Sequence, residues 1–418
     1  MHSTLDGEQI DRLFRSQASR AVAMLGRIFN DLDRAEDAVQ EAYAQALDRW
    51  PRYGLPENPA AWIMVSARNA AIDALRRERT ADAKRQLLAN LEALIHADAP
   101  FDGEAMDDRL AMIFAACHPA LNEETRIALT LRYAAGLTVA EISSALLVPQ
   151  PTVAQRLVRA KHKIKRARIA FAIPEAADLP DRLHDVLRVV YLIFNEGYAS
   201  WTHSNLVRAD LCEEALRLAE LLEKLLPGQT EILGLHALVL FHDARRATRV
   251  DDSGEPVLLE RQDRSLWDGR KIERGASLLE GASRYRAGPY LLQAMIAREH
   301  ATAATWKATN WRRILDCYDS LIDKDPSPVV QLNRAVALAY TQGDESGLAV
   351  LDALGARGAL VGYAPFFAAR AELLRRVGRR TEAGAAYSRA MELTHSFAER
   401  RFLQRRLAHL TSLESLTT

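Results

Sequence analysis

The sequence is short of cysteine, of long apolar runs and of net charge, and each shortage excludes a class of protein. Its three cysteines, Cys117, Cys212 and Cys317, lie about a hundred residues apart, which argues against a disulfide framework or a zinc knuckle. No run of about 18 apolar residues is present, as a membrane helix needs, and the first residues lack the basic-then-apolar order of a signal peptide. We therefore expect a cytoplasmic protein without a membrane partner.

The balance of the remaining residues indicates a folded protein with several domains. Lysine plus arginine and aspartate plus glutamate each number 55 in 418 residues. Attraction to nucleic acid therefore has to come from a local surface rather than from the whole chain. Hydrophobic residues make up 49% of the chain, which is ordinary for a globular protein, and the length favours two or three domains.

Helical periodicity dominates the chain. Nearly every segment between breakers has the apolar period of a helix, and no run alternates convincingly as a strand would. The sequence therefore predicts an all-α protein. Prolines, glycines and shifts in composition divide it, and we predict a helical domain at 1–80, a linker at 81–106, a compact helical domain at 107–172 and a long helical domain at 180–415.

The long C-terminal domain shows signs of a tetratricopeptide-like repeat. Ala349 and Ala383 are 34 residues apart, which is the period of that repeat. Residues of the last unit follow its spacing of small and large side chains: Phe367, Ala371, Leu374, Gly378, Ala383, Tyr387 and Ala390. An insertion at 245–275 interrupts the pattern. We expect the aspartates of this insertion to cap helices and to pair with Arg245, Arg246, Arg249 and Arg264.

The strongest local signal is a helix-turn-helix pattern between residues 138 and 168. Thr138 and Glu141 have the spacing of a capping box that starts a helix, and Pro151 suits the first turn of a second helix. The second helix has an apolar stripe that consists of Val153, Leu157, Ala160 and Ile164. Its opposite stripe consists of Thr152, Gln155, Arg159, Lys163 and Arg166.

Positive charge is concentrated on this second helix. Seven lysines and arginines lie from Arg156 to Arg168, and no carboxylate occurs between Glu141 and Glu175. In a protein without net charge, this pattern favours a recognition helix that enters the major groove of DNA. The alternative is a solvated basic helix in an ordinary bundle.

A second signal lies between residues 31 and 80. A helix with an acidic and polar face is followed by a loop at 51–59 that is rich in proline and glycine. The next helix has an apolar stripe of Ile63, Ala67, Ala70 and Ala74. Another of its stripes combines an aromatic ring, amides and cations, as suits unstacked bases and phosphates. That stripe consists of Trp62, Ser66, Asn69, Asp73, Arg76 and Arg77, although a tryptophan is more typical of a core.

Three motifs, in this order and at these separations, resemble those of bacterial RNA polymerase sigma factors of the extracytoplasmic-function (ECF) group. Residues 35–47 resemble the group's polymerase-clamp-binding helix, residues 61–76 its −10 element helix and residues 149–161 its −35 recognition helix. The remainder, with the segment 191–198 at its start, resembles the tetratricopeptide-type extension of one sigma subgroup.

The resemblance implies a transcription initiation factor that binds promoter DNA and core RNA polymerase, at its clamp and flap. It implies polymerase contacts at Asp37, Gln40 and Glu41. It implies −35 contacts at Thr152, Gln155, Arg156, Arg159 and Lys163. It implies −10 contacts at Arg68, Asn69, Asp73, Arg76 and Arg77, with Asn69 and the 51–59 loop holding an extruded base.

Two other functions stay open at this point. One is a one-component helix-turn-helix regulator whose repeat domain senses a ligand, and the other is an enzyme that uses the 245–275 insertion. The sequence has no phosphate-binding loop, no GxGxxG or GxSxG motif and no metal-ligand spacing, so we expect a protein that is not an enzyme and needs no metal or cofactor. We expect the C-terminal domain to bind a protein or peptide and to regulate the N-terminal part by packing against it, through residues 194–198 and 245–268.

Overall fold

The chain forms two compact units, Met1–Leu192 and Ile193–Thr418. The structure is a computed structural model that describes residues 18, 20–77, 102–134, 136–146, 148–175, 177–198, 209–252, 254–282, 287–358, 360–394 and 396–412. These residues are largely helical, and the one β-type pairing among them is an isolated bridge between Val250 and Pro256. The all-α prediction is confirmed. No helix in this described part is both long and apolar enough to cross a membrane.

The first unit is built from short helices that follow a helical segment at 20–29. They are α1 (Leu32–Tyr53), α2 (Pro59–Arg77), α3 (Asp102–Ala116), α4 (Glu123–Tyr133), α5 (Val139–Leu146), α6 (Gln150–Arg166) and most of α7 (Leu179–Tyr198). Most of the predicted linker at 81–106 lies outside the described residues, and its last five residues belong to α3.

Helices α1 and α2 form a hairpin whose ends are set by local chemistry. The Asp31 side chain accepts the backbone N–H of Asp33 at 3.1 Å and so caps α1, as expected for an aspartate at this position. Gly54 ends the helix with a φ of 84°, a conformation that favours glycine. Asn58 then accepts the Ala61 N–H at 3.0 Å, which starts α2 directly after the loop.

The first part of α7 belongs to the first unit and contacts α3 and α4. Arg126 of α4 forms an ion pair with Asp185, and Arg182 donates to the carbonyl of Phe114 in α3. Arg188 pairs with Glu123 at 2.6 Å. The boundary between the units therefore falls inside α7, later than the predicted domain start at residue 180.

The second unit is a succession of helices in which neighbours along the chain pack against each other. They are α8 (Ala209–Leu225), α9 (Thr230–Ala244), α10 (Gly269–Ala282), α11 (Pro289–Thr302), α12 (Trp311–Ile322), α13 (Pro328–Gln342), α14 (Asp344–Ala356), α15 (Ala364–Arg376), α16 (Arg380–Leu393) and α17 (Phe397–Ser412). The insertion contributes three 3₁₀ turns between α9 and α10, Arg246–Thr248, Leu259–Arg261 and Arg264–Leu266.

The repeat within this unit has a different register from the predicted one. Helices α13 and α15 begin at Pro328 and Ala364, and α14 and α16 begin at Asp344 and Arg380, so the step is 36 residues. Ala349 is exposed whereas Ala383 is fully buried, so their 34-residue separation does not define the repeat. Gly347 lies one 36-residue step before Ala383 and therefore holds the equivalent position. A Cβ at Gly347 would lie 2.6 Å from the carbonyl oxygen of Ala335, so the two helices approach closely there.

The insertion caps helices as predicted but does not pair as predicted. Asp263 accepts the Ser265 N–H at 2.9 Å, and Asp268 accepts the Lys271 N–H at 3.2 Å. Arg246 pairs instead with Glu213 at 3.1 Å, outside the insertion. The other three arginines form no ion pair with a described residue, and Asp268 pairs instead with Lys271 at 3.7 Å.

The two aromatic residues at the ends of the segment 194–198 pack within the second unit. Phe194 and Tyr198 stack at 5.2 Å and pack near His242 of α9, within the second unit. Both rings are buried there. They therefore contribute to the core of the second unit.

Candidate functional site

Helices α5 and α6 form the helix-turn-helix that the sequence predicts. The Thr138 N–H donates to the Glu141 carboxylate at 2.7 Å, and the Glu141 N–H donates to the Thr138 hydroxyl at 3.2 Å. The reciprocal bonds form the capping box. After α5 the Ser143 hydroxyl donates to the Val148 carbonyl at 2.6 Å, which closes the turn before α6. Local side chains thus set both ends of the turn.

The two stripes of α6 lie on opposite sides, as predicted. Val153, Leu157, Ala160 and Ile164 are buried against the rest of the domain. Thr152, Gln155, Arg159 and Lys163 are exposed. The exposed stripe therefore presents a hydroxyl, an amide and two cations on one accessible helix face, which is the donor set that reads bases and phosphates.

Arg156 differs from the other predicted −35 residues. Its guanidinium pairs with Glu124 of α4 at 2.7 Å, and its side chain is 18% exposed. A polar groove of about 280 Å³ lies beside this pair, and Arg159, Lys163 and Asn122 are among the residues that line it. Arg156 therefore braces α6 against α4 and reaches a DNA groove only if it leaves Glu124.

Helix α1 presents the predicted polymerase-binding residues to solvent. Asp37, Gln40 and Glu41 are all exposed. The opposite side of the helix is buried, and it includes Ala38, Val39, Ala42 and Trp50. This arrangement leaves an acidic, polar face exposed to solvent.

A second acidic set at the start of α1 was missed by the sequence analysis because its partners lie 96 to 134 residues away in the chain. Asp33 pairs with Lys161 of α6 at 2.5 Å, and Asp31 pairs with Lys165 at 2.8 Å. Glu36 accepts from Lys161 at 2.9 Å and from Arg132 of α4 at 3.1 Å. Part of the positive charge of the recognition helix is therefore neutralised by α1.

The titration behaviour of these groups reflects the contact. Burial alone would lower the pKa of Lys161, but the hydrogen-bonded carboxylates of Asp33 and Glu36 raise it above its ordinary value. Burial would likewise raise the pKa of Asp31, yet Lys165 and two backbone amides hold it below the usual range. Each shift favours the charged form, as ion pairing requires.

Helix α2 exposes most of the predicted −10 residues that the structure describes. Asn69, Asp73 and Arg76 are exposed. Arg68 is half-buried, and burial lowers its pKa. Arg77 ends the helix, and its side chain lies outside the described part. Polar and cationic groups thus follow the exposed side of α2.

The aromatic residues of this hairpin divide between core and surface. Trp62 is half-buried and meets the buried Trp50 ring edge-on at 5.3 Å, so it supports the hairpin. Ala74, predicted for the apolar stripe, is exposed, because the buried side of α2 uses Met64 and Ala71 instead.

The C-terminal end of α1 carries an exposed aromatic residue that the sequence analysis missed. Tyr53 is 82% exposed and Leu55 is 40% exposed. An exposed ring beside a nucleic-acid surface is a stacking platform for an unpaired base. Its position inside the predicted 51–59 loop was the signal that could have identified it.

The comparisons with known proteins agree with this geometry. Residues 13–81 match the sigma-70 region 2 family, residues 111–164 match the sigma-70 region 4 family, and residues 182–283 match a family of unknown function, DUF6596. The chain is 41% identical over 408 residues to an uncharacterized protein of Rhizobium meliloti strain 1021, with 96% of both chains covered.

More distant relatives cover the N-terminal part. The chain is 25% identical over 140 residues to the ECF RNA polymerase sigma factor SigK of Mycobacterium ulcerans, covering 33% of this chain and 74% of that one. It is 24% identical over 172 residues to the probable ECF sigma factor SigI of Mycobacterium tuberculosis strain H37Rv, covering 40% and 59%. No solved structure matches the chain.

A region 2 hairpin followed by a region 4 helix-turn-helix defines a DNA-binding transcription initiation factor. The two domain matches and the distant relatives support an ECF-type RNA polymerase sigma factor, and the similarity to the Rhizobium protein extends over 96% of the chain. The helical second unit contains most of the DUF6596 match.

Proposed function

We propose that this sigma factor recruits core RNA polymerase to promoters and uses separate helices for the separate contacts. In this proposal α6 reads the −35 element through Thr152, Gln155 and Arg159. Helix α2 and the 51–59 loop bind the opened −10 element, where Tyr53 stacks on an unpaired base beside Asn69. The acidic face of Asp37, Gln40 and Glu41 binds the polymerase clamp.

The observation that carries the proposal is the division of α6 into a buried stripe and an exposed polar stripe. Because the buried stripe fixes the rotation of the helix, the exposed side chains point away from the domain. The α1 face adds a surface that a simple DNA-binding protein does not need. A one-component regulator would require only the first of these two surfaces.

The contact between α1 and α6 implies a rearrangement on the promoter. Elements named −35 and −10 are about 25 base pairs apart, or about 85 Å at the 3.4 Å rise of B-DNA. Yet α1 and α2 form one hairpin, and Lys161 of α6 touches Asp33 of α1 at 2.5 Å. We propose that the pairs made by Lys161 and Lys165 break when both DNA elements are bound.

Transcription with purified core polymerase tests the proposal. The double variant Asp37→Arg and Glu41→Arg should abolish association with core polymerase and run-off transcription, while binding of a duplex −35 fragment persists. Its matched control, Glu345→Arg with Glu382→Arg, makes the same charge change at exposed positions of the second unit. Undiminished association of the first variant, or equal loss in both, would contradict the assignment.

We further propose that the second unit regulates the sigma activity. Helix α7 supports this, since Asp185 contacts α4 in the first unit while Tyr198 packs in the second. A chain ending at residue 192 keeps the contacts of Arg182 and Asp185, and its transcription should differ severalfold from that of the full chain. A chain ending at residue 178 controls for loss of those contacts. Equal transcription by the 192-residue and full-length proteins would refute regulation.

A further inference from the structure

Basic side chains that form no ion pair with a carboxylate in the described part of the chain gather at the start of the second unit. They are Arg245, Arg249 and Arg264 of the insertion and His242 and His300 near the ends of α9 and α11, and together they are called the basic cluster. All five are partly buried. Each residue therefore keeps some solvent-exposed surface, although protein covers most of it.

Two of the arginines share one aromatic ring. The guanidinium of Arg249 lies 3.8 Å from the centre of the Tyr198 ring, and that of Arg245 lies 5.7 Å from it. Arg245 also has its Nη2 atom 3.1 Å from Nδ1 of His242. Cation–π contacts of this kind offset only part of the cost of bringing like charges together.

The carboxylates near the basic cluster are engaged elsewhere. Asp243 pairs with Lys271 at 2.6 Å and with Arg246 at 3.4 Å. Glu399 faces Arg249 but accepts the Thr394 hydroxyl at 2.7 Å. In the described part of the chain, no carboxylate forms an ion pair with the three arginines of the cluster.

Several polar side-chain atoms of the cluster also lack a hydrogen-bond partner in the described part of the chain. They are Nε of Arg249, Nη2 of Arg264 and Nδ1 of His300, and all three atoms are buried. Arg264 is nevertheless held firmly, because its Nη1 atom donates to the carbonyls of His300 and Ala303 at 2.6 and 2.7 Å. Unpaired buried donors on a fixed side chain are costly unless a ligand satisfies them.

The two histidines do not add to the charge. Burial, with help from Arg245 and Arg264, lowers the pKa of His300 to about 4. Burial and the fields of Arg245, Arg249 and His300 hold the pKa of His242 well below its usual value. At neutral pH the cluster therefore combines three guanidinium charges with two neutral rings, an arrangement that is typical of a binding site.

We infer that the basic cluster is a binding site for the phosphate monoester group of a small molecule. A phosphate monoester carries about 1.5 to 2 negative charges at neutral pH and three strong acceptor oxygens. Arginine forks bind such oxygens in pairs. A single carboxylate would compensate less of the charge of the three arginines.

An aromatic wall continues from the cluster and suits the organic part of the ligand. The His300 ring stacks on Trp306 at 6.0 Å, and Trp306 meets Trp311 edge-on at 4.9 Å. Trp311 in turn stacks on Tyr340 at 4.0 Å. All of these rings are partly exposed. A ligand with a planar or apolar body could therefore contact His300 and Trp306 while its phosphate meets the arginines.

Thermal unfolding of the full chain with added anions tests the inference. Inorganic phosphate should raise Tm in a saturable way, since a ligand of the folded state stabilises it by mass action. Phenyl phosphate should act at lower concentration than inorganic phosphate, and benzoate at matched ionic strength should have little effect. Arg245→Gln and Arg249→Gln should each weaken phosphate binding, measured as this rise of Tm with phosphate concentration, at least tenfold. Trp306→Ala should weaken only the response to phenyl phosphate.

The matched control is Arg389→Gln, which removes an exposed arginine that pairs with Glu392 at 2.7 Å on α16. Its response to phosphate should equal that of the wild type. Without phosphate, the two cluster variants should melt at or above the wild-type Tm, because each removes an uncompensated charge. The inference is wrong if both cluster variants melt well below the wild type, if either folded variant keeps the full response, or if neither phosphate probe acts saturably.

Discussion

Arg156 and Arg159 lie about one turn apart on α6, yet their surroundings differ. Arg156 is held by Glu124 and largely covered, whereas Arg159 is exposed on the same side as Thr152 and Gln155. A base contact needs a guanidinium that can reach the groove without giving up a buried partner. At the residue scale, the structure therefore ranks two arginines that the sequence alone treats alike.

This ranking predicts different losses of DNA affinity. Arg159→Ala should weaken binding of a −35 duplex by about 1–3 kcal/mol, which is about 5- to 150-fold. Arg156→Ala should cost less, because the wild-type side chain must first leave Glu124. Fluorescence anisotropy at fixed salt measures both. A larger loss for Arg156→Ala, or loss of core-polymerase affinity with either, would contradict the ranking.

A glycine in α9 makes a second prediction at this scale. A Cβ at Gly234 would lie 2.5 Å from the backbone nitrogen of Leu291 in α11, whereas one at Gly281 in α10 would meet nothing within 4 Å. Gly234→Ala should therefore destabilise the second unit by about 1–3 kcal/mol through overpacking. Gly281→Ala should stabilise it by about 0.5–1 kcal/mol, since alanine favours a helix. Urea unfolding midpoints measure both effects. If the close approach at Gly234 were absent, the two variants would shift the midpoint equally.

At the element scale, the acidic surface of α1 is divided between a contact inside the domain and a face exposed to solvent. Asp33 and Glu36 meet the basic side of α4 and α6, while Asp37 and Glu41 remain exposed. The pairs of Glu36 are mostly covered, with Glu36 19% and Lys161 16% exposed. They are therefore less screened by salt than pairs on an open surface.

Neighbouring acidic residues on α1 should separate these two roles. Glu36→Gln should tighten binding of a −35 duplex by the isolated protein severalfold, because Lys161 and Arg132 lose a neutralising carboxylate. Asp37→Asn should leave duplex binding unchanged and weaken association with core polymerase. Electrophoretic mobility shifts and core pull-downs measure the two effects. Identical duplex affinity in both variants would show that the α1–α6 contact does not limit DNA binding.

At the scale of the whole molecule, buried histidines couple stability to pH. His300 and His242 have pKa values held below the ordinary 6.5, mainly by burial and then by arginines that face them. Arg245 and Arg264 face His300, and Arg245 and Arg249 face His242. Below pH 6.5 these histidines therefore bind fewer protons in the folded chain than in the unfolded chain. Their contribution to the free energy of unfolding is complete above that pH and falls as the pH drops towards 4.

This linkage predicts the pH profile of unfolding. For His300 alone, the loss of unfolding free energy between pH 6.5 and about pH 5 should be up to roughly 2 kcal/mol. His300→Gln should flatten that part of the profile, because glutamine does not titrate. Urea unfolding followed by tryptophan fluorescence provides the measurement. An unchanged slope in the variant would mean that His300 titrates normally in the folded protein.

Local sequence determined the helical class, the capping box at Thr138 and the buried and exposed stripes of α6, because periodicity and capping act over a few residues. It did not determine what covers each stripe. Three features depend on residues far apart in the chain. They are the ion pairs of Lys161 with α1, the 36-residue step of the helical repeat, and the lack of an ion pair for Arg249 in the described part of the chain. Only the path of the folded backbone decides such partners, because a helical pattern specifies which face is apolar or charged but not which distant helix that face will meet.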